Sequence, residues 1–271
     1  MNGQRCLDPA ARVLPDSVVA VHQDAPKLRT LPLAESAVVF FDRDVVVVDK
    51  PVGMLSVADE AGNKDTLFDH IRTSLRRIDK AGIDAPLGVV HRLDKETSGL
   101  MMFARTPHAK RSLEVQFREH TIERVYHAIA HGEVAATRID TYLILDRGDA
   151  MRGSFGHFRR ERGAVPADAK RAITHVTPIA ALAGATLVEC RLETGRQHQI
   201  RIHLSELGHP LAGERVYTRY FRGPKIDAAR PMLHARTLGF VHPRTGERMS
   251  FEREPPEDFR ATVYLLRPAR G

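Results

Sequence analysis

Four consecutive valines, Val45 to Val48, constrain this chain most, because they sit between the polar triplet Asp42-Arg43-Asp44 and the stop Asp49-Lys50-Pro51-Val52-Gly53. β-Branched side chains lose rotamer freedom in a helix and fit a pleated strand, so the run reads as a strand. Ala37-Val-Val-Phe-Phe41 before the triplet makes a second strand, and the two join through a tight polar turn. Asp65 is placed to cap a helix with Leu67, Ile71, Leu75 and Ile78 on its apolar face and Gly82 as its stop. Val89-Val90 and Leu100 to Ala104 read as buried strands. Thr106-Pro107 has the cap and first-turn pattern of a helix running to about Glu119, with Ala109, Leu113 and Phe117 inward. Ile122 to Ala130 is the next strand, and its alternation points Tyr126 to the side of Ala128 and Ala130.

Further on, strands are expected near Ala172 to Ala180 and Ala185 to Leu192. A helix follows from Gln197 to Leu207, with Ile200, Leu204 and Leu207 on one stripe and His198 and Arg201 on another face. Leu238 to Val241, the turn His242 to Gly246 and Met249 to Phe251 form a hairpin, and a short helix starts near Pro256. Strands dominate without regular strand–helix alternation, which predicts an α+β fold with a mixed, mostly antiparallel sheet. Neither the dinucleotide fingerprint nor the Walker pattern occurs, so a doubly wound nucleotide fold is disfavoured.

The 271 residues are 42% apolar and 28% charged, the composition of a globular protein able to bury a substantial core. No segment approaches the ~18 apolar residues of a membrane span. Arg5, Asp8 and Arg12 interrupt the N-terminal stretch with no apolar signal core, so the expected location is cytoplasmic. Cys6 and Cys190 are too few for a disulfide framework, and no Cys pair has zinc-ligand spacing. The net charge of +7 favours a polyanionic partner. Arg147, Arg152, Arg159, Arg160, Arg162, Lys170 and Arg171 gather in a Gly-containing basic segment at about 147–171. Residues 1–35, with Pro9, Pro15, Pro26 and Pro32, read as an N-terminal arm.

The chemistry concentrates in His91-Arg92-Leu93-Asp94-Lys95-Glu96-Thr97-Ser98-Gly99-Leu100, which sets the carboxylate of Asp94 among cations and hydroxyls between two apolar runs. An aspartate in a turn also serves as a local backbone cap, and the decapeptide alone leaves both roles open. Three segments in order, Val47-Val-Asp-Lys-Pro-Val-Gly-Met54, His91 to Leu100, and Thr194-Gly-Arg-Gln-His-Gln-Ile-Arg-Ile-His203, resemble the RluA branch of the RNA pseudouridine synthases. Gly208 to Gly213, Tyr217 and Leu233-His234-Ala235 continue the likeness over roughly residues 37 to 266.

That resemblance implies a catalytic domain over 36–267 in two lobes with a central cleft, carrying the basic segment as an insertion. It implies RNA as partner, ribosomal or transfer, and no cofactor, because the uracil is detached, turned and rejoined to the same sugar carbon without redox change. Asp94 is implied as the nucleophile that attacks sugar or base, or removes a ribose proton. Arg201 is implied as the cation that keeps it ionised, with Arg196 the fallback or a phosphate contact. Tyr126 is implied to stack on the uracil, with Arg124 two residues before it where the family usually has lysine. Arg92 enters the RNA stack as the base leaves it. His91 and Thr97 brace the loop, Lys50 contacts phosphate, and His198 and Gln199 belong to the substrate-binding set. A monomer without S4 domain, membrane contact or obligate protein partner is expected. Two alternatives stand beside this reading: a noncatalytic RNA-binding protein on the same scaffold, and a metal site built from His198, His203, His209 and His234, for which no ligand spacing in the sequence speaks.

Overall fold

The computed structural model describes residues 37–58, 65–78, 87–157, 164–219 and 221–268. The elements, in chain order, are β1 (Val38–Phe41), β2 (Val45–Lys50), α1 (Leu67–Ile78), β3 (Gly88–Val89), β4 (Ser98–Ala104), α2 (Pro107–Arg118), β5 (Glu123–His131) and β6 (Thr137–Ile144). They continue with β7 (Gly153–Ser154), β8 (Lys170–Leu182), β9 (Ala185–Leu192), α3 (Gln199–Glu206), β10 (Leu233–Val241), β11 (Arg248–Glu252) and α4 (Glu257–Leu265). All the described strands join one sheet in the order β1-β2-β4-β10-β5-β9-β8-β6-β7, with β3 on β4 and β11 on β10. Every pairing is antiparallel except β10 with β4, so the sheet is mixed and mostly antiparallel.

The valine run explains the first lobe. β2 lies between β1 and β4, and its side chains alternate between two cores. Val46 and Val48 join Met101 and Phe103 beneath Leu67, Ile71 and Leu75 of α1. Val45 and Val47 join Leu100 and Met102 beneath Ala109 and Leu113 of α2. Thr106 caps α2, its side chain accepting from the Ala109 N–H at 3.1 Å, and Pro107 stands at the first turn. The cap of α1 is Thr66 rather than Asp65: Thr66 and Asp69 bond reciprocally, while Asp65 holds His70.

The second lobe is β5-β9-β8-β6-β7 with α3. The lobes meet where β4 runs parallel to β10, through only His234↔Ser98 and Ala235↔Gly99. Gly99 is required there, at φ 109°, because a Cβ would stand 2.3 Å from the Ala235 carbonyl oxygen. Tyr126, Ala128 and Ala130 of β5 enter the same core as Val46 and Phe103, as the alternation predicted, so one core crosses the junction.

Elsewhere the fold departs from the sequence reading. β6, unforeseen, lies against β8 over Thr137↔Val176 to Leu143↔Lys170. Val89-Val90 is not a buried strand, since β3 has two residues and Val89 is exposed. α3 starts at Gln199 rather than Gln197, and Leu207 faces solvent. The basic segment contains β7 and the start of β8. The N-terminal arm, the Gly82 stop, the Ile78 side chain and Arg159, Arg160 and Arg162 lie outside the described residues.

Candidate active site

Asp94 sits on the connection from β3 to β4, and the backbone on either side of it is bolted down. Ser56 donates its hydroxyl to the Leu93 carbonyl (2.7 Å) and accepts from the Leu93 N–H (3.1 Å). Lys50, expected to contact phosphate, is fully buried. Its ammonium donates to the carbonyls of Pro51, Met54 and Lys95 at 2.9, 2.9 and 3.0 Å, so it ties the loop after β2 to the residue beside Asp94. Burial lowers its pKa to about 8, against the attraction of Glu96 and Asp94. The Thr97 N–H closes the turn on the Asp94 carbonyl (3.1 Å), and Arg230 donates to the Glu96 carbonyl (3.0 Å). His91 ties its loop to β4. Its Nε2 accepts from the Met102 N–H at 3.0 Å, and burial, helped by the charge of Arg124, lowers its pKa to about 3, so the ring is neutral.

Two basic side chains face the carboxylate: His198 Nε2 lies 3.9 Å from Asp94 Oδ1 and Arg201 Nη1 lies 4.0 Å from Oδ2. The sequence expected both on one helix face, but His198 precedes α3 in a left-handed conformation, φ 58°. That turn, rather than helical spacing, aims its ring at Asp94. Burial lowers the His198 pKa, Asp94 opposing and Arg201 adding to the drop.

The firm partner of Arg201 is Glu214, which sequence reasoning missed. Its carboxylate takes Arg201 Nε and Nη2 at 2.7 and 2.8 Å and also accepts from the backbone N–H of Val216 (2.8 Å) and Tyr217 (3.3 Å). Burial opposes both charges, but the mutual bonds win: the pKa of Arg201 ends raised and that of Glu214 lowered. Arg201 is therefore fixed by Glu214 and turns its remaining nitrogen toward Asp94. Tyr217 lies under the guanidinium, ring centre 5.4 Å away, and pairs its hydroxyl with His198 Nδ1 at 2.7 Å.

Asp94 and His198 open onto a cavity of about 530 Å³ walled also by Tyr126, Leu192, Ile200 and Leu233, while Arg201, Glu214 and Tyr217 stand behind that wall. Tyr126 comes from β5 and is 8% exposed, and burial raises its pKa, so the phenol keeps its proton. Arg92 and Arg196 are exposed at the rim, as contacts to a polyanion require. Gln199, assigned to substrate, has none of its side-chain polar atoms to spare. It accepts from the Thr194 hydroxyl and the Arg196 N–H and donates to the Ile173 carbonyl and the Thr174 hydroxyl, all within 2.9 to 3.0 Å. It shapes the loop that carries Arg196 and His198.

Two members of the basic segment are also committed: Arg147 is buried and pairs with Asp149, and Arg171 pairs with Asp140. The histidines of the metal alternative are dispersed. His203 bonds Thr141 and Thr174, His209 bonds the His131 carbonyl, and His234 bonds Ser98 and the Arg253 carbonyl. Among the described residues no group of three or more His, Cys, Asp or Glu is placed to hold a metal ion.

The family model described as RNA pseudouridylate synthase matches residues 44–206. The "Ribosomal large subunit pseudouridine synthase D" of Zymomonas mobilis is 39% identical over 242 residues, covering 84% of this chain and 72% of that protein. The "Uncharacterized RNA pseudouridine synthase YlyB" of Bacillus subtilis is 39% identical over 232 residues, covering 83% and 71%. The solved structure of "Human RNA Pseudouridylate Synthase Domain Containing 4" shares the fold, with a TM-score of 0.70 at 22% identity over 85% of this chain and 92% of that one. The chain belongs to the RNA pseudouridylate synthase family, in the RluA branch that its motifs resemble.

Proposed function

We propose that Asp94 is the nucleophile of this isomerase, and that its substrate is a uridine flipped out of structured RNA of the large ribosomal subunit. The observation that carries the reading is the carboxylate itself, set in the cavity between His198 and Arg201. Breaking the bond from ribose to uracil and rejoining the base through carbon 5 leaves composition and oxidation state unchanged, so a placed carboxylate and a closed pocket suffice. Arg201 supplies fixed positive charge beside Asp94, and Glu214 keeps that charge in place.

Tyr126 stacks on the uracil and keeps water from the reacting atoms. Its raised pKa suits stacking and hydrogen-bond donation better than action as a phenolate base. Arg92 takes the place of the extruded nucleotide, and Arg196 holds backbone phosphate at the rim. Ribosomal RNA is preferred because a relative 39% identical carries that target in its name. Mapping pseudouridines across total RNA from cells with and without the gene tests the assignment. Loss of signal at one or more large-subunit uridines is expected. Loss confined to transfer RNA overturns the target, and no loss anywhere favours the noncatalytic alternative.

A further inference from the structure

Arg124 is a buried cation that the chemistry above does not use. It is 6% exposed, lines the cavity, and stands two residues from Tyr126 on the same face of β5, about 7 Å along the strand. Its Nη2 donates to the Glu193 carbonyl at 2.8 Å, and its guanidinium packs 5.3 Å from the Phe117 ring centre. The Nε is buried without a hydrogen-bond partner among the described residues. No carboxylate of the described residues forms an ion pair with it, whereas the buried Arg201 and Arg230 have Glu214 and Asp258. Burial lowers its pKa, with Tyr126 opposing and the charge of Arg196 adding to the drop.

The surroundings are built to keep it there. A Cβ on Gly195 would lie 2.3 Å from Nη1, so the loop before α3 packs its bare backbone on the guanidinium and brings Arg196 to the same wall. Arg92, Arg118, Arg124 and Arg196 all line the cavity, and Asp94 is the only carboxylate among its lining residues. An unpaired buried guanidinium is costly, and an arginine favours planar, bidentate bonding to phosphate over hydration.

We propose that Arg124 and Arg196 form an anion subsite beside the place of the target base, and that its ligand is a backbone phosphodiester flanking the target uridine. This rests on Asp94 marking the uridine site. The diester supplies the countercharge that no described carboxylate gives Arg124 and anchors the nucleotide whose base lies on Tyr126.

The test measures binding alone, in an Asp94→Asn background, so its outcome is separable from failure of the isomerase reading. The probe is a single-stranded RNA pentamer with a central uridine, together with versions in which one linkage at a time is a neutral methylphosphonate. In the Arg124 protein, one linkage is expected to weaken binding about tenfold or more when neutralised. Removing that one phosphate contact also reduces the slope of log affinity against log salt by about 0.7. Arg124→Gln weakens binding and reduces the slope in the same direction, and is less sensitive than the Arg124 protein to the methylphosphonate at that linkage, where Arg196 remains. Arg124→Lys regains the slope.

An Arg124→Gln protein with parental affinity and slope, or one whose sensitivity to that linkage is undiminished, overturns the proposal. If Arg124→Gln does not fold, by thermal melting, the series on the Arg124 protein decides: absence of any sensitive linkage overturns it, and a sensitive linkage with a preserved slope in Arg124→Lys supports it.

Discussion

At the scale of single residues, the site is set by carbonyls and carboxylates that are not themselves reactive. Arg201 reaches Asp94 at 4.0 Å only because Glu214 grips its other two nitrogens. Glu214→Gln removes one charge of a buried pair and should destabilise the fold by about 3–5 kcal/mol, read from urea unfolding. In protein that remains folded, turnover should drop roughly tenfold or more with RNA affinity little changed, since a loss of ~1.4 kcal/mol at the transition state is tenfold. Unchanged turnover would show that Arg201 needs no such grip. Lys50→Met leaves three carbonyls without their donor and should cost about 3 kcal/mol or more. A chemical melt at the wild-type midpoint would show that the ammonium is dispensable. The sequence named Asp94 and Arg201 through the motifs that carry them and Tyr126 through its spacing from Asp94, and the fold brings Arg201 to 4.0 Å from Asp94 and puts Tyr126 on the same cavity. Glu214 was not readable, because one glutamate after Gly213 has no periodicity, and its burial depends on an arginine it meets only in the folded chain.

At the scale of elements, the valine run gave a true strand, and Thr106-Pro107 gave a true helix start, because both signals are local. β6 was missed although Ile139 and Leu143 are buried while Arg138, Asp140 and Tyr142 are exposed. Its inward Thr141 is polar, bonded to His203 and Ser154, and that broke the apolar alternation. The left turn at His198 was beyond pattern reading for a different reason, being held by the contacts of its ring rather than by a glycine. The parallel seam between β4 and β10 is the element on which the cleft depends, since it joins the strand after Asp94 to the strand that carries Leu233. Gly99→Ala should cost about 3 kcal/mol or more or prevent folding, from backbone strain added to overlap with Ala235. Thermal melting checks this, and a midpoint equal to wild type would mean that the seam can open at no cost.

At the scale of the whole molecule, the fold holds neutral histidines in both lobes, His203 and His234 buried and His91 partly exposed. Burial holds His91 at about 3 and His203 and His234 at about 4. The unfolded chain takes up these protons near pH 6.5 and the folded one does not, so their contribution is complete above about pH 6.5 and lost as pH falls toward 4. Each should cost of order 1–2 kcal/mol of stability between pH 7.5 and 5. Urea unfolding at the two pH values should show this loss, reduced in His203→Gln. Equal stability at both would contradict the buried neutral state.

The central claim concerns Asp94, and its most direct measurement is the rate of pseudouridine formation by Asp94→Asn on the RNA identified by mapping, beside the affinity of the same variant for that RNA. The account predicts no detectable product with a dissociation constant within about threefold of wild type, because the substitution removes the nucleophile and no phosphate contact. Product formed at the wild-type rate would contradict it.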